Sequence, residues 1–103
     1  MLKMKKLRLE IREEAYLDLE NIWNYTLETW SLRQADKYYN DIIEAIEFLC
    51  TEPKSGKSAE HLRKGYRFFK VNSHLIFYMT TDFELDVIRI LHSQMDIPNR
   101  IMD

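Results

Sequence analysis

Glycine and proline are scarce, with two of each in 103 residues. That leaves little room for long loops, and no segment is repeated or low in complexity. Cysteine occurs once, as Cys50, so no internal disulfide can form and a reducing cytoplasm is the expected compartment. Cys50 falls in an apolar helical pattern with Ile46 and Leu49, which points to a buried, inert thiol. No run approaches the roughly 20 apolar residues of a membrane span. The basic start, MLKMKKLRLEI, lacks the apolar stretch of about 7–15 residues that a secretory leader needs. Chemical motifs are missing as well. There is no glycine-rich phosphate loop, paired-cysteine metal motif, H-E-x-x-H or G-x-S-x-G, and neither a metal nor a cofactor is expected.

What remains is a chain of one domain, 1–103, long enough to bury a single core. Its net charge of −2 hides a segregation. Residues 1 to 12 hold five Lys/Arg against one Glu, and residues 13 to 52 hold ten acids against two bases. Residues 53 to 74 hold six bases against one acid, and the remainder is mildly acidic. The acidic mean argues against a general nucleic-acid binder, whose domain pI usually exceeds ~9. The segregation allows two readings. Either the charges neutralise one another within the fold, or they meet an acidic partner on the strands or a basic one on the helices.

Leu7, Leu9 and Ile11 alternate with Lys6, Arg8 and Glu10, a period of two that reads as a strand with one buried face. Ala15, Leu19, Ile22, Trp23, Thr26 and Trp30 then fall at helical spacing, giving an amphipathic helix from about 13 to 30. Ser31-Leu32-Arg33-Gln34 matches a capping box and restarts a helix at once. Ala35, Tyr38, Tyr39, Ile42, Ala45, Ile46 and Leu49 form its stripe, and Pro53 ends it. Both stripes read as core. A polar loop to Glu60 precedes three strands, 66–71, 74–80 and 85–91, joined by short turns at Asn72-Ser73 and 81–84. Residues 99–103 read as a short helical end or a frayed tail. The expected fold is α+β, in the order β-α-α-β-β-β. An antiparallel sheet is packed on one face by an N-terminal helix hairpin, and its other face is partly open.

The side chains with chemistry are in the strand half: His61, Arg63, Lys64, Arg67, Lys70, His74, Arg89 and His92. A metal-independent ribonuclease needs a base, an acid and cations for the phosphate, and these residue types are suitable. Alternation opposes it. Arg89 and His92, three apart on a strand, point to opposite faces unless a bulge intervenes. The charge of Arg89 needs a carboxylate from the acidic helices, from a partner, or access to solvent.

Several elements in order resemble one known family. These are Asp18-Leu19 with Ile22-Trp23 and Tyr25-Thr26, then Trp30-Ser31 with Gln34-Ala35 and Tyr38-Tyr39, then Glu52-Pro53 and Gly56. Gly65-Tyr66-Arg67, His74 to Tyr78, Arg89-Ile90-Leu91-His92 and Met95-Asp96 follow. The chain is similar in these to the ParE branch of the RelE/ParE toxin superfamily. Arg12 stands where such chains often open the first helix with Ser, Thr or Pro, and Ser31 where a glycine is usual. The ribonuclease branch fits less well, because no tyrosine occurs after Tyr78.

The resemblance implies the toxin of a type II toxin–antitoxin pair, associated with growth inhibition and plasmid stabilisation. It implies a non-enzymatic protein that inhibits DNA gyrase, through its DNA-cleaving subunit, and so blocks replication. A ParD-like antitoxin would neutralise it as a hetero-oligomer, with no specific nucleic-acid or membrane binding of its own. It points to Arg89, His92, Met95 and Asp96, with the tail through Asp103, for toxicity. The antitoxin is expected over apolar and basic surface of the strand half and the helix hairpin, with Arg63, Arg67 and Lys70 meeting its acids. A ribosome-dependent mRNA endonuclease and a relic that only binds its antitoxin are the alternatives.

Overall fold

The computed structural model describes residues 6–101. Strand β1 (Arg8–Ile11) leads into helix α1 (Glu13–Thr29), and a two-residue link leads into helix α2 (Leu32–Thr51). Glu13 and Glu14 occupy the first turn of α1, where carboxylates complement the positive end of the helix dipole. The Ser31 hydroxyl caps α2 by accepting from Gln34 N at 3.1 Å. Helix α2 ends at Thr51 with Glu52 as its C-cap, and a 3-10 turn, Pro53–Ser55, follows. The strand half comprises β2 (Lys57–Ser58), β3 (Arg67–Val71), β4 (His74–Thr80) and β5 (Glu84–His92). A short helix, α3 (Ile97–Ile101), ends the described chain, so the tail residues Met102 and Asp103 lie outside it.

The five strands form one sheet in the order β1-β5-β4-β3-β2. The meander β3-β4-β5 is antiparallel, as its short turns require. Asn72 makes the β3–β4 turn in the left-handed region, φ 55°, which asparagine tolerates. The sheet as a whole is mixed, because β1 pairs parallel to β5. The helix hairpin explains this. It returns the chain beside the start of β1, where Leu7 N donates to Cys50 O at 2.9 Å. Three meander strands then leave β5 running in the same direction as β1. Residues 53–60, expected as loop, also hold the two-residue β2.

One apolar cluster lies between the sheet and the hairpin. It joins Ala15 and Leu19 of α1, Ile42, Ile46 and Leu49 of α2, and Ile76, Tyr78, Val87 and Ile90 of the sheet. Each fully buried Leu or Ile there contributes about 1.5–3 kcal/mol. Cys50 is buried in the same cluster, and burial pushes its thiol pKa up, as befits an unreactive sulfur. A second cluster lies on the opposite face. There Ala59, Tyr66 and Ile101 cover Phe77, Ile88 and Leu91. That face is therefore partly closed by residues 59–66 and by α3.

Candidate functional site

Strand β5 carries the residues on which the functional reading turns. A bulge interrupts its pairing with β4: Phe77 lies opposite Arg89, Tyr78 lies opposite Val87, and Ile88 is left over. The extra residue moves Ile88 to the face of Leu91, while Val87 joins Ile90 on the hairpin side. The bulge falls before Arg89. From Arg89 to His92 alternation is regular, so these two side chains stay on opposite faces.

Arg89 is held inside the molecule, its side chain 16% exposed. Strand β1 ends opposite Val87, so the last part of β5 has a bare edge. Asp18 of α1 fills it. Its Oδ2 accepts from Ile90 N at 2.9 Å and from Arg89 Nε at 2.8 Å, and its Oδ1 accepts from Arg89 Nη2 at 2.9 Å. Glu14 lies 3.6 Å from Nη1, which also donates to Arg100 O of α3 at 3.1 Å. The carboxylate expected from the acidic helices is thus Asp18, and one guanidinium ties α1, β5 and α3 together. The sequence marks the need for such a mate but not which of ten acids supplies it.

His92 pairs across the strands with His74, the rings meeting edge to face with centroids 5.4 Å apart. His92 Nδ1 accepts from Gln94 N at 3.1 Å. His74 Nδ1 is buried without a hydrogen-bond partner among the described residues. Burial, and then the neighbouring His92, hold the His74 pKa below its usual value. Met95 and Asp96 follow in an exposed turn closed by Met95 N to His92 O at 3.0 Å. Of the four residues singled out for toxicity, Met95 and Asp96 are therefore open to a partner, His92 is half-buried, and Arg89 is engaged from within.

Of the three basic candidates, Arg63 and Lys70 are exposed and form no ion pair among the described residues. Arg67 serves the fold. Its Nη2 donates to Gly56 O at 3.0 Å and to Lys54 O at 3.2 Å. Beside it the Tyr78 hydroxyl donates to Pro53 O at 2.7 Å and accepts from Gly56 N at 3.0 Å, pinning the 53–56 turn to the sheet. Burial raises the Tyr78 pKa, so the phenol stays protonated and keeps its donor.

Among the described residues, ion pairs leave most of the charge segregation unneutralised. Among the carboxylates of residues 13–52 only Glu14, Asp18 and Asp41 have ion-pair partners among the described residues. None of the six bases of residues 53–74 has one. The aromatic stripes are also less buried than their spacing predicts. Trp30, at the hairpin turn, is 71% exposed, and Tyr39 is 39% exposed. Tyr16 joins Tyr39 and Trp23 along an open groove of about 440 Å³ between α1 and α2.

These features define a small α+β module whose charged and aromatic surfaces its own fold leaves uncovered. A family model described as the ParE toxin of the type II toxin–antitoxin system parDE matches residues 9–97. The chain is 37% identical over 93 residues to Toxin ParE1 of Caulobacter vibrioides, covering 90% of this chain and 94% of that one. It is 34% identical over 88 residues to Toxin ParE1 of Mycobacterium tuberculosis, covering 84% and 90%. A solved structure titled as the chromosomal ParDE toxin–antitoxin system of P. aeruginosa shares the fold. Its TM-score is 0.74 at 19% identity, over 84% of this chain and 96% of that one. The chain belongs to the ParE toxin family of type II toxin–antitoxin systems.

Proposed function

We propose that this toxin acts by binding and not by catalysis. It blocks DNA gyrase in the bacterial cytoplasm and is neutralised by a ParD-like antitoxin. The observation that carries the binding side of this reading is the separation of Arg89 from His92. RNA cleavage needs an acid, a base and a cation converging on one phosphate. Here Arg89 is clamped by Asp18 and lies across from Phe77, while His92 sits against His74 with its Nδ1 already accepting a backbone N–H. Family membership supports gyrase as the target. The exposed turn with Met95 and Asp96 is its contact, and Arg89 positions that segment from behind through Arg100 O.

The antitoxin would meet the basic strand half at Arg63 and Lys70, with Arg67 contributing less because its guanidinium holds the 53–56 turn. The test titrates the purified chain into gyrase supercoiling of relaxed plasmid, beside a translation reaction probed for cut mRNA. Inhibition or trapped cleaved DNA with intact mRNA is expected, and His92→Ala loses activity only in part. Unchanged supercoiling with mRNA cut at codons would overturn the reading. For the antitoxin surface, Arg63→Ala with Lys70→Ala weakens binding more at low salt than at high salt.

A further inference from the structure

We propose that the basic face built from β2, β3, residues 59–66 and α3 binds the phosphate backbone of duplex DNA without reading its sequence. Phe68 of β3 packs into the second apolar cluster, and Lys57 of β2 lies opposite it, so Lys57 shares that face of the sheet. Lys70, two residues beyond Phe68, shares it as well. Ala59, Leu62 and Tyr66 turn inward to the same cluster, which leaves Arg63 and Lys64 on the outer surface of the segment that covers the face. Ile97 and Ile101 do the same for α3 and leave Arg100 outside. All five bases are exposed, and none has an ion-pair partner among the described residues. The acids nearby are engaged. Glu60 accepts from Gly65 N at 3.3 Å and Asp96 accepts from Asn99 Nδ2, while Glu84 and Asp86, on the far edge, pair with Arg8 and Arg12.

What this face lacks decides the kind of partner. A protein interface is anchored by large apolar and aromatic side chains that it buries. The exposed side chains of that kind are on β1, on the hairpin and at Phe83 and Met95, and none falls between residues 53 and 74. Phosphate contacts need only charge and reach, which lysine and arginine supply. The acidity of the whole chain does not forbid the contact. Its acids are concentrated in residues 13–52, the hairpin on the other side of the sheet. The chain measures at least 21 Å along each principal axis, well beyond the roughly 8 Å screening length at physiological salt, so those acids weaken the attraction without cancelling it. The inference deepens the gyrase reading and in that part rests on it, because a toxin docked on gyrase would lay this face on the DNA that gyrase holds. An antitoxin whose acids take Arg63 and Lys70 would compete for the same surface, so the DNA contact belongs to the free toxin.

The test titrates the full chain into a fluorescein-labelled duplex of about 30 base pairs and follows anisotropy from about 50 to 200 mM salt. Binding is expected at low salt, alike for two unrelated sequences. The logarithm of the binding constant should fall against that of the salt with a slope of about −3 to −4.5, as up to five phosphate contacts would give. Lys64→Ala should reduce the slope by about 1. Arg33→Ala removes the same charge from an exposed position on the hairpin and should leave the slope unchanged. No binding at low salt, a slope that Lys64→Ala does not alter, or one that Arg33→Ala alters equally overturns the proposal. So does tighter binding to duplex RNA of the same sequence, or displacement by polyglutamate at equal charge concentration, because the face would then select RNA or an acidic chain. Gyrase inhibition by the same preparation is read separately. DNA binding without inhibition upholds the face and counts against the gyrase reading, whereas inhibition without DNA binding overturns the face alone.

Discussion

Replacing Asp18 by alanine should destabilise this protein more than most single changes, and the structure says by how much. The carboxylate is 11% exposed and its guanidinium mate 16% exposed. Three short hydrogen bonds converge on it, two from Arg89 and one from Ile90 N. Removing one partner of a buried pair costs about 3–5 kcal/mol, and Glu14, exposed and 3.6 Å from the guanidinium, offsets only part of that loss. The orphaned Ile90 amide is part of that figure, because a buried donor without an acceptor costs about 1–3 kcal/mol by itself. For a domain of this size the melting temperature should fall by roughly 15–30 °C. Urea denaturation followed by far-UV circular dichroism measures it. Asp18→Asn, which keeps an acceptor for Ile90 N, should lose less. The double variant Asp18→Leu with Arg89→Met removes both charges together and should recover much of the loss, since an apolar pair of similar volume is often neutral or better. A loss under about 1 kcal/mol for Asp18→Ala, or strict additivity in the double variant, would refute the reasoning.

Three further outcomes follow from the geometry. His74 is held below its usual pKa by burial and by His92, so the unfolded chain binds the extra proton first; stability should fall as pH drops through about 6.5, and His74→Gln should flatten that fall in urea midpoints taken at pH 5 and 7.5. Gly56→Ala would drive a Cβ into the Tyr78 hydroxyl and to 2.8 Å from Phe68 O, an overpacking that should cost about 1–3 kcal/mol in the same denaturation assay. Tyr78→Phe deletes the hydroxyl that joins Pro53 O to Gly56 N, should cost about 1–3 kcal/mol, and should raise amide exchange at Gly56 in particular.

Local chemistry made the hairpin and the meander legible. Ser31 and Gln34 mark the start of α2, Pro53 marks its end, and strand-like runs on either side of the Asn72-Ser73 turn mark β3 and β4. What the sequence hides depends on pairing between distant segments. The parallel contact of β1 with β5 joins Arg8 to Glu84, and nothing local to either residue announces it. The bulge residue Ile88 is as apolar as Val87 and Ile90, so composition cannot say which of the three is unpaired. The mate of Arg89 is 71 positions away. The exposure of Trp30 and Tyr39 was hidden for a related reason. Helical spacing shows which side chains share a stripe, but only the packed structure shows how much of that stripe is covered.

The unneutralised charges bear on how such a toxin can be held. Ion pairs that do form here use Arg8, Arg12, Lys37 and Arg89, none of them from the basic block of residues 53–74. Exposed charges of this kind add little to folding stability, since a solvent-exposed pair is worth about 0–1 kcal/mol even when formed. Their physical consequence lies in association. Fields of opposite sign on two faces steer and orient an incoming chain, and can raise its on-rate by factors of about 10–1,000. One flexible segment with a basic stretch for the acidic helices and an acidic stretch for Arg63 and Lys70 would engage both faces. A segment of uniform charge would be repelled by one of them. Swapping the order of charges in such a segment, at constant composition, should therefore abolish tight binding, whereas purely apolar recognition would leave it unchanged.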